Sequence, residues 1–411
     1  MTTNLRALVP LLLAAALLLA GNGVLGTLVS LRGVEEGFST FTIGLISAGY
    51  FIGFLTSCFH APRLIRAVGH VRVFAALASV AGVGTLLMVL TVDPWVWGGI
   101  RLAMGFCFSG VFVVIESWLN QASAPAERAR ILSLYRVVDL TSVTGGQFLL
   151  PLWSIAGFEL FSVAAILFGL SLLPVALTNT SRPTPPAQFR FEPRKVFLLS
   201  PVACLGALSI GLTTSAFRMI GPVYGVEVGF NTGQVALFMN AGIVGGALLQ
   251  LPLGMFSDRV DRRLALLLAT LGAVAAGVFL NAVTTPNLIF VGAFAFGAFA
   301  MPLFSLAAAQ ANDRAGPQGD FVMIAAGLMF FYAVGAILGP LGAAALMQTF
   351  GPSALFAYTS TVHGAMAAMT IIQMLSRAPV PRAARSRYVA LLRTSPAFSR
   401  LANRDSDGPS D

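Results

Sequence analysis

The chain has 411 residues, of which 57% are hydrophobic and 10% are charged, and its mean hydropathy is +0.84. Soluble domains carry roughly 25% charged residues, so this composition excludes an ordinary soluble globule. The net charge of +9 is distributed between apolar segments and in the carboxy-terminal tail. That pattern is typical of membrane topology and does not predict a nucleic-acid-binding face.

Apolar segments recur at about the 20 residues that a helix needs to cross a bilayer. They predict twelve transmembrane helices, at 8–29, 42–61, 73–92, 96–118, 131–155, 159–177, 200–220, 233–256, 264–283, 287–309, 320–346 and 353–375. The expected fold class is therefore an all-α polytopic membrane protein. Tryptophans are expected at the interfaces, with Trp95 and Trp97 opening the fourth helix, Trp118 closing it and Trp153 closing the fifth.

The basic residues alternate between loops, which predicts cytoplasmic amino and carboxy termini in an inner membrane. The opposite loops hold only Arg32. The segment Met1–Leu28 could pass for a signal peptide, but the uncharged run from Ala7 to Leu31 is longer than an ordinary signal core, which favours a first transmembrane helix.

The domain organisation follows from the spacing of the segments. The proline-rich and basic stretch at 179–199 reads as a cytoplasmic linker between an amino-terminal bundle, 1–178, and a carboxy-terminal bundle, 200–375. The two halves repeat at an offset of about 190 residues, as parallel repeats would. The tail, 376–411, begins basic and ends acidic, and is expected to be disordered, with a short lipid-bound amphipathic piece as the alternative.

Charges within the spans are expensive and are functional candidates by default. We consider as substrate or coupling candidates Arg101, Glu116, Arg136, Asp139 and Arg218. Two alternatives stay open: Arg136 and Asp139 share a helix face and could be a structural ion pair, and Arg101 could extend to the outer interface. His363 is interpreted as a packing residue more readily than as a proton carrier.

Small residues predict close helix packing at several places. Gly49 and Gly53 form one such pair, and Gly335 and Gly339 form another, followed by Pro340 as an expected kink. Cys58, Cys107 and Cys204 lie in apolar runs, without disulfide or metal spacing. No phosphate-binding loop with lysine and no nucleophile elbow is present, so we expect no enzyme activity, no cofactor and no metal.

The loop Gly254-Met-Phe-Ser-Asp-Arg-Val-Asp-Arg-Arg263 resembles the loop between helices 8 and 9 of the major facilitator superfamily, with Asp261 where the family usually has glycine. Arg101-Leu-Ala-Met-Gly105 resembles that family's helix 4 element. Glu116-Ser-Trp-Leu-Asn120 and Gln250-x-Pro-x-Gly254 are similar to the YcaD-like subfamily. Some related facilitators take up riboflavin. The exchanger element Gly-x-x-x-Gly-Pro lies in helix 11 instead of helix 5, which disfavours drug export.

The resemblance implies two six-helix bundles with a solute path at their interface, and a cytoplasmic gate under helix 5. Asp258 would cap helix 5, and Arg259, Arg262 and Arg263 would meet Glu127 or Glu116. The alternative is that these arginines only enforce topology.

The functional expectation is a monomeric secondary transporter in the lipid bilayer that takes up a small organic solute, with riboflavin as the favoured example. Proton symport through Glu116 or Asp139 and simple uniport both remain open. The alternatives are an exporter of amphipathic compounds and a non-transporting membrane receptor or scaffold.

Overall fold

The computed structural model describes residues 5–122, 128–177, 191–316, 319–381 and 385. Within these ranges the chain is helical, with turns between the helices and no β-strand. The prediction of an all-α protein is confirmed. Glu127 and most of the tail lie outside the described residues.

Fifteen α-helices occupy the described ranges. They are α1 Leu5–Glu35, α2 Thr40–Val68, α3 His70–Leu90, α4 Pro94–Ala122, α5 Arg128–Gln147, α6 Glu159–Leu170, α7 Leu172–Ala176, α8 Pro193–Leu199, α9 Pro201–Glu227, α10 Thr232–Arg259, α11 Arg262–Ala282, α12 Pro286–Ala300, α13 Leu303–Ala315, α14 Phe321–Phe350 and α15 Ala354–Ser376. α6 and α7 together form the sixth predicted segment and α12 and α13 the tenth, while α8 lies within the predicted linker.

Eleven helical segments among the described residues are long and apolar enough to cross a membrane. The fifth predicted segment, α5, is not one of them, because it carries Arg128, Arg130, Arg136 and Asp139. At 20 residues it would still rise about 30 Å, the thickness of the hydrocarbon core. α5 therefore has the length of a twelfth span without its apolar composition.

The predicted end of the fifth helix at residue 155 is wrong. α5 ends at Gln147, and two turns follow in which Phe148 and Leu149 donate to the carbonyls of Gly145 and Gly146. A short 3₁₀ turn containing Pro151 comes next. Glycines weaken a helix, and here they precede a proline that cannot continue it.

The four tryptophans expected at the interfaces differ in exposure. Trp95 and Trp153 are exposed, whereas Trp97 and Trp118 are buried. Trp97 donates its Nε1 hydrogen to the carbonyls of Met88 and Thr91, which ties α4 to the end of α3. The buried rings therefore pack the helices.

The chain divides into two compact units. The first contains residues up to 38 and from 45 to the linker, and the second contains residues 39–44 and the described residues from 191 onward. In the first unit α1 packs on α5 and α6, and α3 packs on α4 and α6. In the second, α9 packs on α14, α10 on α12, and α11 on α15.

One helix crossing is built in the same way in both units. A Cβ at Gly53 of α2 would lie 1.8 Å from the Leu102 carbonyl oxygen of α4, and a Cβ at Gly105 would lie 1.8 Å from the Tyr50 carbonyl oxygen. In the second unit, Gly245 and Gly297 make the corresponding contacts between α10 and α12, at 2.1 and 1.9 Å. From 53 to 245 and from 105 to 297 the offset is 192 residues, close to the predicted repeat.

A second crossing also repeats, with an offset of 188 or 189 residues. In the first unit, Cβ atoms at Gly23 and Gly146 would meet carbonyl oxygens across the α1–α5 contact at 2.7 and 2.3 Å. In the second unit, Gly211 and Gly335 do so across the α9–α14 contact at 2.1 and 2.2 Å, and Gly339 adds a third contact at 2.2 Å. Backbones this close require residues without side chains.

Candidate functional site

Arg101 lies inside the first unit, where it stacks on an aromatic ring. Its guanidinium carbon is 4.5 Å from the centroid of the Tyr50 ring, and the residue is 1% exposed. The glycine crossing explains the placement, because Gly105 lies one turn after Arg101 and brings α4 against the backbone of Tyr50. A stacked guanidinium is stabilised by the negative face of the ring, and more strongly where water is excluded. Arg101 therefore does not extend to the interface.

Further aromatic rings surround Tyr50. The Tyr50 ring centroid lies 5.4 Å from that of Phe51, 6.5 Å from Phe54 and 6.3 Å from Phe108, and all four side chains are buried. Aromatic pairs at these separations attract each other in tilted and edge-on arrangements. The cationic side chain is thus held on a rigid aromatic base between α2 and α4.

Glu116 forms a second centre, on α4 fifteen residues beyond Arg101, which is about 22 Å along a helix. It is 0% exposed. Its charge acts on Cys58 of α2 and on Tyr135 of α5. The charges of Arg136 and Asp139 also act on Tyr135. Three of the five predicted charges therefore act electrostatically on one buried tyrosine.

Arg136 and Asp139 bind each other. Arg136 Nη1 donates to Asp139 Oδ2 at 3.0 Å, and their side chains are 37% and 21% exposed. The predicted shared face is confirmed by this i,i+3 contact. Two of the remaining residues lie in the second unit: Arg218 is exposed on α9, and His363 is buried with its Nε2 3.2 Å from Thr213 Oγ1.

The charged loop between α10 and α11 has partners within its own unit. Arg262 is 1% exposed, and it donates from Nε to Asp313 Oδ2 of α13 at 3.0 Å and from Nη1 to Ser257 Oγ at 2.7 Å. Asp258 Oδ1 lies 2.7 Å from the same Nη1. Arg262 therefore fastens the end of α10 and the start of α11 to the end of α13.

Arg263 binds on the other side of the loop. Asp261 caps α11 by accepting from the backbone N–H of Arg263 at 3.0 Å, and its Oδ2 also lies 2.8 Å from Arg263 Nη2. Arg263 Nη1 donates to the carbonyls of Gln373 and Arg377 at the end of α15, at 3.2 and 2.7 Å. Arg385 donates to the carbonyl of Val260. Arg259 is exposed.

The environment of Asp261 lowers its pKa. Partial burial would raise the pKa, but the hydrogen bonds from Arg263 and the charges of Arg263 and Arg385 outweigh that effect and hold it below the ordinary carboxyl value. Asp261 is therefore a fixed negative charge between two arginines. That gives a structural reason for an acidic residue at a position where glycine is usual in the family.

Two contacts carry polar residues that the sequence reasoning missed. His70 Nε2 lies 3.0 Å from Ser117 Oγ, which joins the start of α3 to α4. Asp313, the partner of Arg262, lies in Asn312-Asp-Arg314 after the tenth predicted span. In the sequence Asp313 is an acidic residue just after a predicted span. Such a residue is ordinarily expected to lie in a solvent-exposed loop. Within the described residues no group of His, Cys, Asp or Glu side chains is arranged to hold a metal ion.

The profile of the Major Facilitator Superfamily matches residues 11–280 and 203–402, which together cover most of the chain. The chain belongs to the major facilitator superfamily. It is 27% identical over 371 residues to an uncharacterized MFS-type transporter YcaD of Escherichia coli O45:K1, with 88% of this chain and 94% of the relative covered. A Yersinia pseudotuberculosis MFS-type transporter is 27% identical over 369 residues, with 87% and 91% covered. The resemblance to YcaD-like facilitators is confirmed.

Two solved structures share the facilitator fold. The nucleoside transporter NupG superposes with a TM-score of 0.73 at 12% identity, covering 90% of this chain and 99% of the other. A bacterial homologue of the human lysosomal transporter Spinster, in an inward-facing conformation, gives 0.64 at 14% identity, with 98% of each chain covered. This facilitator therefore has the fold of a membrane transporter.

Proposed function

We propose that this facilitator is a secondary transporter that takes up a small organic solute across the inner membrane by alternating access. The main support is the pair of buried charges in the first unit, Arg101 and Glu116. A charged side chain in a membrane span is costly, and an apolar replacement would serve a receptor or a scaffold at least as well. Charge kept at this cost favours a protein that binds or moves something polar.

The net charge of the five candidate residues indicates which solutes the protein would bind. Residues that neutralise each other in an ion pair do not contribute to this net charge. Arg136 and Asp139 neutralise each other through their ion pair. Arg101 and Glu116 are opposite in sign, and Arg218 adds one positive charge. This balance suits a neutral or weakly anionic solute better than a cation.

The aromatic surroundings of Arg101 add a preference for flat ligands. Tyr50 and its neighbouring phenylalanine rings could stack a heteroaromatic ring system, and the guanidinium supplies donors for carbonyl oxygens on that ring. We propose a vitamin-like heteroaromatic solute, with riboflavin as the favoured example. An exporter of amphipathic compounds is the rival within transport.

We propose Glu116 as the residue that couples transport to energy. Its carboxyl group is buried, and its charge acts on Tyr135 together with the charges of Arg136 and Asp139, so a conformational change that alters these neighbours would change its proton affinity. We propose that Glu116 exchanges a proton during the transport cycle. Uniport is the alternative, and it predicts uptake that does not respond to a pH gradient.

The cytoplasmic gate is proposed in a revised form. Arg262 and Arg263 have partners inside the second unit, so their role is to shape the loop. Asp258 holds Arg262 from the end of α10, and Arg259 is the arginine of this loop that stays exposed. Asp258→Asn is expected to loosen the loop, shift the resting population toward inward-open and slow transport. Unchanged transport and unchanged labelling of a cysteine introduced at the cytoplasmic side would argue against the gate.

We propose a monomer with both termini in the cytoplasm. Reporter fusions test the topology: a cytoplasmic enzyme tag should be active after Ser376 and silent after Thr284. The reverse pattern would contradict the arrangement. Chromatography with light scattering in detergent tests the oligomeric state.

The experiment for the function is a ligand screen followed by flux. Purified protein is screened against metabolites by thermal shift, and each hit is tested for uptake into proteoliposomes with and without an imposed pH gradient. We expect a neutral or weakly anionic heteroaromatic compound to stabilise the protein and to accumulate. A hit that is a permanent cation would contradict the charge argument, and a protein that moves nothing across a broad panel would favour the scaffold. Resistance profiling of a deletion strain separates export from uptake.

A further inference from the structure

The first unit contains a buried polar contact at the helix ends that we predict to be cytoplasmic. His70, the first residue of α3, shares a hydrogen bond of 3.0 Å with Ser117 near the end of α4, and both side chains are buried. The Trp118 ring centroid lies 6.2 Å from that of His70. This hydrogen bond joins the start of α3 to the end of α4. Its serine partner is uncharged.

The second unit contains a related contact at the position expected from the repeat. Arg262 follows His70 by the offset of 192 residues that separates Gly53 from Gly245, and it is likewise the first residue of its helix. It joins α11 to α13 through Asp313, in an ion pair that is almost fully buried. By the same offset Asp313 corresponds to position 121 of α4, one helical turn after Ser117.

We propose that His70–Ser117 and Arg262–Asp313 are two versions of one clasp, and that their difference in strength makes the amino-terminal unit the one that yields at the cytoplasmic face. A hydrogen bond between an ionised guanidinium and an ionised carboxylate is stronger than one that ends on the uncharged hydroxyl of a serine. Arg262 also binds Asp258 and Ser257, so the clasp of the second unit is fixed at several points. The cytoplasmic ends of α3 and α4 therefore separate more readily than those of α11 and α13.

Local opening of this kind is measured by amide hydrogen exchange. The full-length protein in nanodiscs, without solute, is followed by mass spectrometry of peptides from the four helix ends. In the wild type we expect faster exchange at the cytoplasmic ends of α3 and α4 than at those of α11 and α13. His70→Phe keeps a ring beside Trp118 but removes the hydrogen bond, and should raise exchange at α3 and α4 by about fivefold without changing α11 and α13. Ser117→Ala removes the same bond from the other side and serves if His70→Phe does not fold.

The decisive part of the experiment introduces the ion pair of the second unit into the first unit. His70→Arg combined with Gln121→Asp places the arginine and carboxylate of the second unit at their equivalent positions in the first, and should slow exchange at α3 and α4 toward that of α11 and α13. Asp313→Asn should do the converse in the second unit. Equal exchange at both pairs of ends in the wild type, or no change in both His70→Phe and Ser117→Ala, would overturn the proposal. No solute is present, so this result is independent of the proposed transport function.

Discussion

Arg262 and Asp313 form an ion pair from which water is almost entirely excluded. The Nε–Oδ2 distance is 3.0 Å, and the two side chains are 1% and 0% exposed. Because Arg262 also contacts Asp258 and Ser257, the charged loop is fastened to α13 by contacts within its own unit. The loop that resembles the family element therefore stabilises the carboxy-terminal half by connecting α10, α11 and α13.

Removing Asp313 leaves the Arg262 guanidinium buried without its carboxylate. We expect Asp313→Ala to lower the free energy of unfolding by about 3–5 kcal/mol, measured by thermal or denaturant unfolding in detergent. Asp258→Ala, at a partly exposed site, should cost less. Replacing both members, Arg262→Met with Asp313→Leu, should recover much of the loss, since buried pairs can often be replaced by apolar residues. A double variant as unstable as Asp313→Ala would contradict this account of the pair.

Because the glycine crossing is repeated, replacing its glycines by alanine should lower the thermal stability of the protein by similar amounts in the two units. Gly105→Ala and Gly297→Ala would place a methyl group 1.8 and 1.9 Å from a carbonyl oxygen, so the helices must separate and the protein should lose thermal stability. Gly99 and Gly364 have nothing within 4 Å of the added carbon. There alanine should be neutral or stabilising by about 0.5–1 kcal/mol, because it favours the helix. Equal effects at all four positions would show that the close approach is unimportant.

Asp261 should make stability depend on pH at the acidic end. A carboxyl group with a lowered pKa contributes stability that is complete above its unfolded value, about 4, and is lost as the pH falls through the lowered value. Asp261→Asn keeps an oxygen for the α11 cap but removes the charge. The difference in thermal stability between wild type and variant should be constant from pH 7 to 5 and narrow below about pH 4. A difference that is the same at all these values would exclude the charge as its source.

Tyr50 should matter to Arg101 through its ring. Tyr50→Phe keeps the aromatic face, so binding of a solute found by the screen should change little. Tyr50→Leu removes the cation–π contact, worth about 2 kcal/mol where it is desolvated, which corresponds to a loss of roughly 30-fold in affinity if Arg101 must be held in place. Isothermal titration with both variants compares the two effects. Equal binding by all three proteins would separate Arg101 from the solute site.

Much of the fold could be predicted from the sequence because membrane-spanning helices are recognisable by their length and hydrophobicity. The helix order, the offset between the halves and the packing role of Gly53, Gly335 and Gly339 all follow from such local patterns. The end of α5 was misplaced because apolar residues continue past Gln147, and hydropathy alone does not register the turns after Gly145 and Gly146.

The candidate site was less accessible to pattern reasoning, because partners are set by tertiary packing. The i,i+3 contact of Arg136 with Asp139 is visible in the sequence, whereas Arg262 and Asp313 are separated by 51 residues and His70 and Ser117 by 47. Histidine and serine beside a span end carry no signal that distinguishes a buried contact from a solvated loop. Only the repeated framework makes the two contacts comparable.

The central claim is that the buried charges of the first unit serve transport, and initial uptake rates measured in proteoliposomes test it most directly. The solute from the screen is compared in wild type, Arg101→Gln, Glu116→Gln and the control Arg72→Gln, an exposed residue at the start of α3, with and without an inward proton gradient. The account predicts that Arg72→Gln behaves as wild type, that Arg101→Gln loses uptake under all conditions, and that Glu116→Gln loses the response to the gradient. Arg101→Gln and Glu116→Gln proteins that fold and transport at the wild-type rate, with the wild-type response to pH, would contradict it.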